Sequence, residues 1–124
     1  FKLNRMGEAA GHLKGAIDLC DEFEDTFGAG AFRGSLALIL AHKGDVQLAL
    51  KMVNKGEKQL AGLDYIEHAK LLCKRGRVEV LAHDLKGARD SLRSAQKLAK
   101  KAGVTPESAL GRAITELQTL SEAK

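Results

Sequence analysis

Ala82-His83-Asp84-Leu85-Lys86-Gly87-Ala88 is the stretch with the strongest claim to chemistry. On a helix, Lys86 and Gly87 lie about one turn beyond His83. An imidazole so placed has the parts of a phosphoryl acceptor: a cation to stabilise the added charge and a Gly that leaves the ring accessible. The stretch is echoed at His12-Leu13-Lys14-Gly15. A phosphoacceptor need not recur, whereas a structural turn in a repeated unit must. The other candidates are weaker. His42 and His68 lack ligand-spaced partners, and there is no His-Glu-x-x-His. Asp21, Glu22, Glu24 and Asp25 lack the alternating ligands and central Gly of a calcium loop, and read as a solvated face. Gly28–Gly34 follows no strand, which excludes a phosphate-binding loop. Cys20 and Cys73 sit in apolar, helical patterns and read as free thiols in a reducing compartment. With no convergent acid, base, nucleophile or metal set, we expect no catalytic residue, no metal and no cofactor.

Composition sets what must position any site. Hydrophobic residues make up 44% of the 124 residues but aromatics only 4%, so Ala, Leu and Gly fill the core. That filling suits closely packed helices. Pro106 is the single proline. No run of 18 apolar residues is present, so no membrane span is expected. The chain starts at Phe1 in mid-pattern and reads as a piece of a longer chain with further domains. Net charge is +4 and uneven: residues 1–30 carry three basic and six acidic side chains, residues 31–124 seventeen and ten. A body of that sign attracts acidic partners. It is too modest in charge and too poor in aromatics to point to nucleic acid.

The apolar periodicity predicts seven helices and no strand: 1–10, 12–27, 31–43, 45–60, 64–82, 85–102 and 105–122. Gly11 and Gly28-Ala29-Gly30 read as breaks. Asp45, Asp64, Asp84 and Thr105 read as N-caps, with Pro106 at a first helical position. Three turns echo one another, at Gly11, Gly44 and His83, spaced 33 and 39 residues apart. Repetition on that scale marks an array of helical hairpins.

The spacing resembles the tetratricopeptide repeat family. In that family a small residue in the first helix is followed by a Gly-type turn seven residues on and an Ala five further. Here the trios are Asn4/Gly11/Ala16, Ala37/Gly44/Ala49 and Gly76/His83/Ala88, and Leu110-Gly111-x-x-Ile114 looks like the start of another unit. The long units look most like arrays attached to large bacterial ATPases, kinases and regulators. The resemblance implies an all-α right-handed superhelix of about three hairpins (1–28, 31–62 and 64–103) with a capping helix over 105–123. It also implies a cytoplasmic, non-enzymatic scaffold that binds a peptide or partner domain in its concave groove.

In the family the first helix of each unit lines that groove. Carried over by register, this assigns Lys2 and Arg5, then Gly34, Leu38, Ala41 and His42, then Lys70, Cys73, Lys74 and Arg77, and finally Arg112. Their sign favours an acidic segment. Lys2, Lys70 and Lys74 fall at basic positions of the clamp with which some members grip chaperone tails, but Arg5 and Ser35 stand where its Asn residues belong. The competing resemblance is to histidine phosphotransfer domains, four-helix bundles of about this length, which would make His83 the phosphoacceptor.

Overall fold

The computed structural model describes residues 3–122. Lys2, assigned to the groove by register, lies outside them. The protein is all-α. Its six helices among the described residues are α1 (Leu3–Glu22), α2 (Thr26–His42), α3 (Val46–Leu60), α4 (Tyr65–Leu81), α5 (Leu85–Ala102) and α6 (Ala109–Glu122).

The turns are built by one local device. Glu24, Gly44 and His83 all adopt left-handed backbone, with φ of 57°, 96° and 63°. Each is followed by an Asp. The amide of that Asp returns to the carbonyl of the residue five back, at Cys20, Leu40 and Glu79, closing the preceding helix. Its carboxylate then caps the next helix by accepting from the amides of Gly28, Leu48 and Gly87. Asp64 caps α4 in the same way through the Glu67 amide.

This corrects two expected breaks. Residues 1–10 and 12–27 do not form a hairpin about Gly11. That glycine lies inside α1, which runs unbroken from Leu3 to Glu22. Nor does Gly28-Ala29-Gly30 separate elements, since all three lie within α2. The first interhelix turn is Phe23-Glu24-Asp25, one helix before the turn at Gly44-Asp45. The unit predicted over 1–28 is therefore a single helix plus a turn. The complete hairpins are α2–α3 and α4–α5. Asp25 and Asp64 lie 39 positions apart, as do Asp45 and Asp84, so both hairpins share one length.

The glycines misread as breaks are packing residues. A Cβ on Gly30 would stand 3.0 Å from the Gly56 carbonyl oxygen, and one on Gly56 would stand 2.9 Å from the Gly30 carbonyl oxygen. The α2 and α3 backbones touch there. Gly34 abuts Leu71 of α4 and Gly76 abuts Leu117 of α6. Each helix packs only on its neighbours: α1 on α2, α2 on α3 and α4, α3 on α4, α4 on α5 and α6, and α5 on α6. Two cores result. One joins Ile17, Leu36, Leu40, Val53, Leu60, Leu71 and Val78, and the other joins Ala69, Leu72, Cys73, Ala95, Ala99 and Leu110.

Among the described residues two charged side chains are buried. Arg33 of α2 donates to Gln59 of α3 at 2.8 Å and pairs with Asp21 of α1 at 2.9 Å, joining three helices. Glu79 of α4 accepts from Ser91 Oγ of α5 at 2.5 Å, with the Arg75 guanidinium 3.7 Å away. Burial nevertheless holds its carboxyl above the ordinary carboxylate range. Glu57 of α3 pairs with Arg75 and with His68 of α4, tying the first hairpin to the second.

Candidate functional site: a cationic groove between α1, α2 and α4

A cavity of about 260 Å3 opens between the N-terminal half of α1 and the C-terminal halves of α2 and α4. Met6, Ser35, Leu38, Ile39, His42, Lys74 and Arg77 line it. The positions follow from helical spacing. Ser35, Leu38, Ile39 and His42 fall at i, i+3, i+4 and i+7 of α2, one stripe facing the groove. Lys74 and Arg77 are one turn apart on α4. Met6 closes the side from α1.

The electrostatics are one-signed, because no carboxylate stands among the lining residues. Lys74 Nζ donates to Ser35 Oγ at 3.0 Å, a neutral partner that leaves its charge uncompensated at contact distance. Burial pushes the Lys74 ammonium below its ordinary value, against the opposing influence of Glu67. A partly desolvated cation beside the Arg77 guanidinium, over Leu38 and Ile39, can hold an anionic group attached to an apolar one.

Of the residues assigned by register, Leu38, His42, Lys74 and Arg77 meet here. The rest do not join them. Lys70 pairs with Glu67 at 3.2 Å and lines a separate cavity of about 380 Å3 with Ile66, Val104, Thr105 and Leu110. Arg112 is exposed on α6 and donates to the Glu107 carbonyl at 3.0 Å. Arg5 is exposed on α1 and lies outside the lining set. Gly34, Ala41 and Cys73 are core residues. Burial pushes the Cys73 thiol up to about 11. Sequence reasoning missed Met6 and Ile39, and it set Ser35 at a clamp position without assigning it to the groove. Ser35 had a signal, being the polar residue within the apolar run of α2.

His83 is exposed in the α4–α5 turn. Gly87, which would open the ring of a phosphoacceptor, faces the Asp84 and Glu79 carboxylates, and Lys86 pairs with Asp90 at 3.6 Å. Among the described residues no group of three or more His, Cys, Asp or Glu side chains could hold a metal ion. No helix there is long and apolar enough to cross a membrane.

Compared with known proteins, the chain matches no family model, no curated protein and no solved structure.

Proposed function

We propose that this protein is a non-enzymatic interaction module of tetratricopeptide type. It takes an acidic segment of a protein partner into the groove lined by Leu38, His42, Lys74 and Arg77. The observation that carries this reading is Lys74, a half-buried cation whose contact partner is a neutral hydroxyl, set beside Arg77 over an apolar floor. Nearest-neighbour packing of two equal hairpins, with a helix at each end, supports a superhelical array. In such an array α2, α4 and α6 would line the concave side, and α1 would be the second helix of a preceding unit.

The affinity should be modest, with a dissociation constant on the order of micromolar, because a short segment loses conformational freedom on docking. Fluorescence titration against acidic and basic peptide pools, at low and high salt, tests the reading. Acidic peptides should bind and salt should weaken them. Lys74→Gln with Arg77→Gln should cost roughly tenfold or more, since both lost contacts are charge-assisted. Equal binding of both pools, or no loss in the double variant, would sink it. The competing phosphorelay reading of His83 makes a separate demand: acid-labile phosphate on the wild type that disappears in His83→Gln.

A further inference from the structure

The turns divide between two ends of the molecule. Successive helices run in alternating directions, so the turns at 23–25, 61–64 and 103–108 share one end. The contacts agree: Gly30 and Gly56 meet near that end, while Met6 meets Leu38 and His42 toward the other. Along this edge the order is fixed, because α1 packs only on α2 and α6 packs only on α4 and α5.

Three features coincide there. First, six of the ten large exposed hydrophobic side chains of the described residues lie on it: Leu19, Phe23, Phe27, Leu63, Tyr65 and Ile66. Phe23 is 75% exposed and Leu63, in the middle turn, 58%. Clustered exposure of that kind marks an interaction surface. Second, the α1–α2 end is acidic, with Asp18, Glu22 and Glu24 all exposed. Third, the α5–α6 end is basic, with Lys97, Lys100 and Lys101 exposed in the last turns of α5 and Lys101 lying over the Tyr65 ring at 5.7 Å.

The apolar strip runs from the acidic turn (Leu19, Phe23, Phe27) to the middle turn (Leu63, Tyr65, Ile66), and the opposite charges at the two ends of the edge are complementary under a two-fold rotation. We propose that this edge is a dimerisation surface whose partner is a second copy of the chain. The two-fold axis passes near Leu63, and the acidic turn of each copy meets the α5 C-terminus of the other. Such an interface is isologous and closes on itself. Stacked hairpins lie about 10 Å apart, so the three turns span roughly 20 Å, at the small end of specific interfaces. A dissociation constant on the order of 10 µM is expected. The groove between α1, α2 and α4 opens elsewhere, so the proposal stands independently of what that groove binds.

The arrangement dictates a reciprocal test by sedimentation velocity on the full chain, with folding of every variant checked by far-UV circular dichroism. The wild type should associate to a dimer at tens of micromolar. Glu22→Lys with Glu24→Lys cancels most of the charge of the acidic end, and Lys100→Glu with Lys101→Glu makes both ends acidic. Each pair alone should weaken the dimer about tenfold or more. An equimolar mixture should recover a heterodimer tighter than either variant forms alone, because one of its two contacts pairs an unaltered acidic turn with an unaltered basic end. Leu63→Asp should abolish association in every background. A wild type that stays monomeric to a few hundred micromolar overturns the proposal. So does a dimer indifferent to both charge reversals, a mixture that fails to recover, or open-ended oligomers. A monomer that instead uses Lys100 and Lys101 to bind an acidic foreign peptide or anionic vesicles also overturns it.

Discussion

Gly11→Ala separates two accounts of the first twenty residues. In a turn at Gly11, an added Cβ would meet left-handed backbone and destabilise the fold by about 1 kcal/mol. In the structure Gly11 lies inside α1, exposed, with nothing within 4 Å of a Cβ built there. Ala then gains helix propensity and narrows the unfolded ensemble, stabilising by roughly 0.5–1 kcal/mol. Gly7 and Gly15 are equally open, so the triple Ala variant should gain roughly 1.5–3 kcal/mol. The opposite sign is expected at Gly56, also in mid-helix. There the Cβ would stand 2.9 Å from the Gly30 carbonyl oxygen and 2.9 Å from Leu71 Cδ1. A helix carbonyl cannot swing away, so α2 and α3 must separate, and overpacking of about 1–3 kcal/mol outweighs the propensity gain. Urea unfolding of the variants gives both signs in one experiment. A loss of stability in Gly11→Ala, or a gain in Gly56→Ala, would refute the reasoning.

Other outcomes follow from the turns and the buried charges. His83→Gly and Glu24→Gly should each stabilise by roughly 0.5–1 kcal/mol, since both side chains sit on left-handed backbone. Thermal unfolding checks this, and a lower midpoint in both would contradict it. Asp84→Ala should cost about 1 kcal/mol through loss of the α5 cap, measurable in the same scan. Folding raises the Glu79 pKa, so the native state binds that proton more readily than the unfolded chain. Its penalty is full at neutral pH and fades as pH falls through the folded pKa toward the ordinary value of about 4.5. Glu79→Gln should therefore flatten the rise in stability on acidification from neutral pH, and an unchanged slope in denaturation at pH 7.5 and 5 would count against that carboxyl. Ellman's reagent should label Cys20, which is partly exposed, well before the buried Cys73, whose thiol is pushed up to about 11.

The α-helical class was legible because apolar periodicity and Asp caps agree from Gly44 onward. Asp45, Asp64 and Asp84 cap helices as their residue type suggests. One error is at the last helix, which begins at Ala109 and not at 105, because Ser108 and not Thr105 accepts from the Gly111 amide and Pro106 stays outside the helix; the others fall where one residue type serves two purposes. Gly44 and Gly103 end helices through left-handed backbone, whereas Gly30, Gly34 and Gly56 lie inside helices to let backbones or a Leu approach. Composition does not distinguish the two uses, and only the partner helix does. The turn at Glu24 was hidden for the converse reason. Glu carries no turn signal, and it stands in an acidic run that reads as surface. In the groove, register along α2 and α4 brought Leu38, His42, Lys74 and Arg77 to one place. It did not bring Lys70, which shares a face of α4 with Lys74 but lies one turn nearer the helix start and lines another cavity, or Arg112, which is exposed on α6.

The 39-residue offset between the hairpins also shows where they diverge. Leu40 and Met52 of the first correspond to Glu79 and Ser91 of the second. Leu40 and Met52 belong to the apolar core, while Glu79 and Ser91 are hydrogen bonded to each other at 2.5 Å. The same backbone position is thus dry in one hairpin and polar in the other. A buried carboxylate costs desolvation that its hydroxyl and guanidinium partners offset only in part, as its raised pKa records. Its directional contacts fix the register of α4 on α5, and Arg75 carries that constraint to Glu57 of α3. An apolar Leu–Met pair tolerates a slip between helices far better than a carboxylate with two fixed partners does. The first hairpin has its directional contact elsewhere, where Arg33 of α2 donates to Gln59 of α3 and the positions 39 residues on are Leu72 and Leu98, so each hairpin holds its register through one buried polar pair set at a different height.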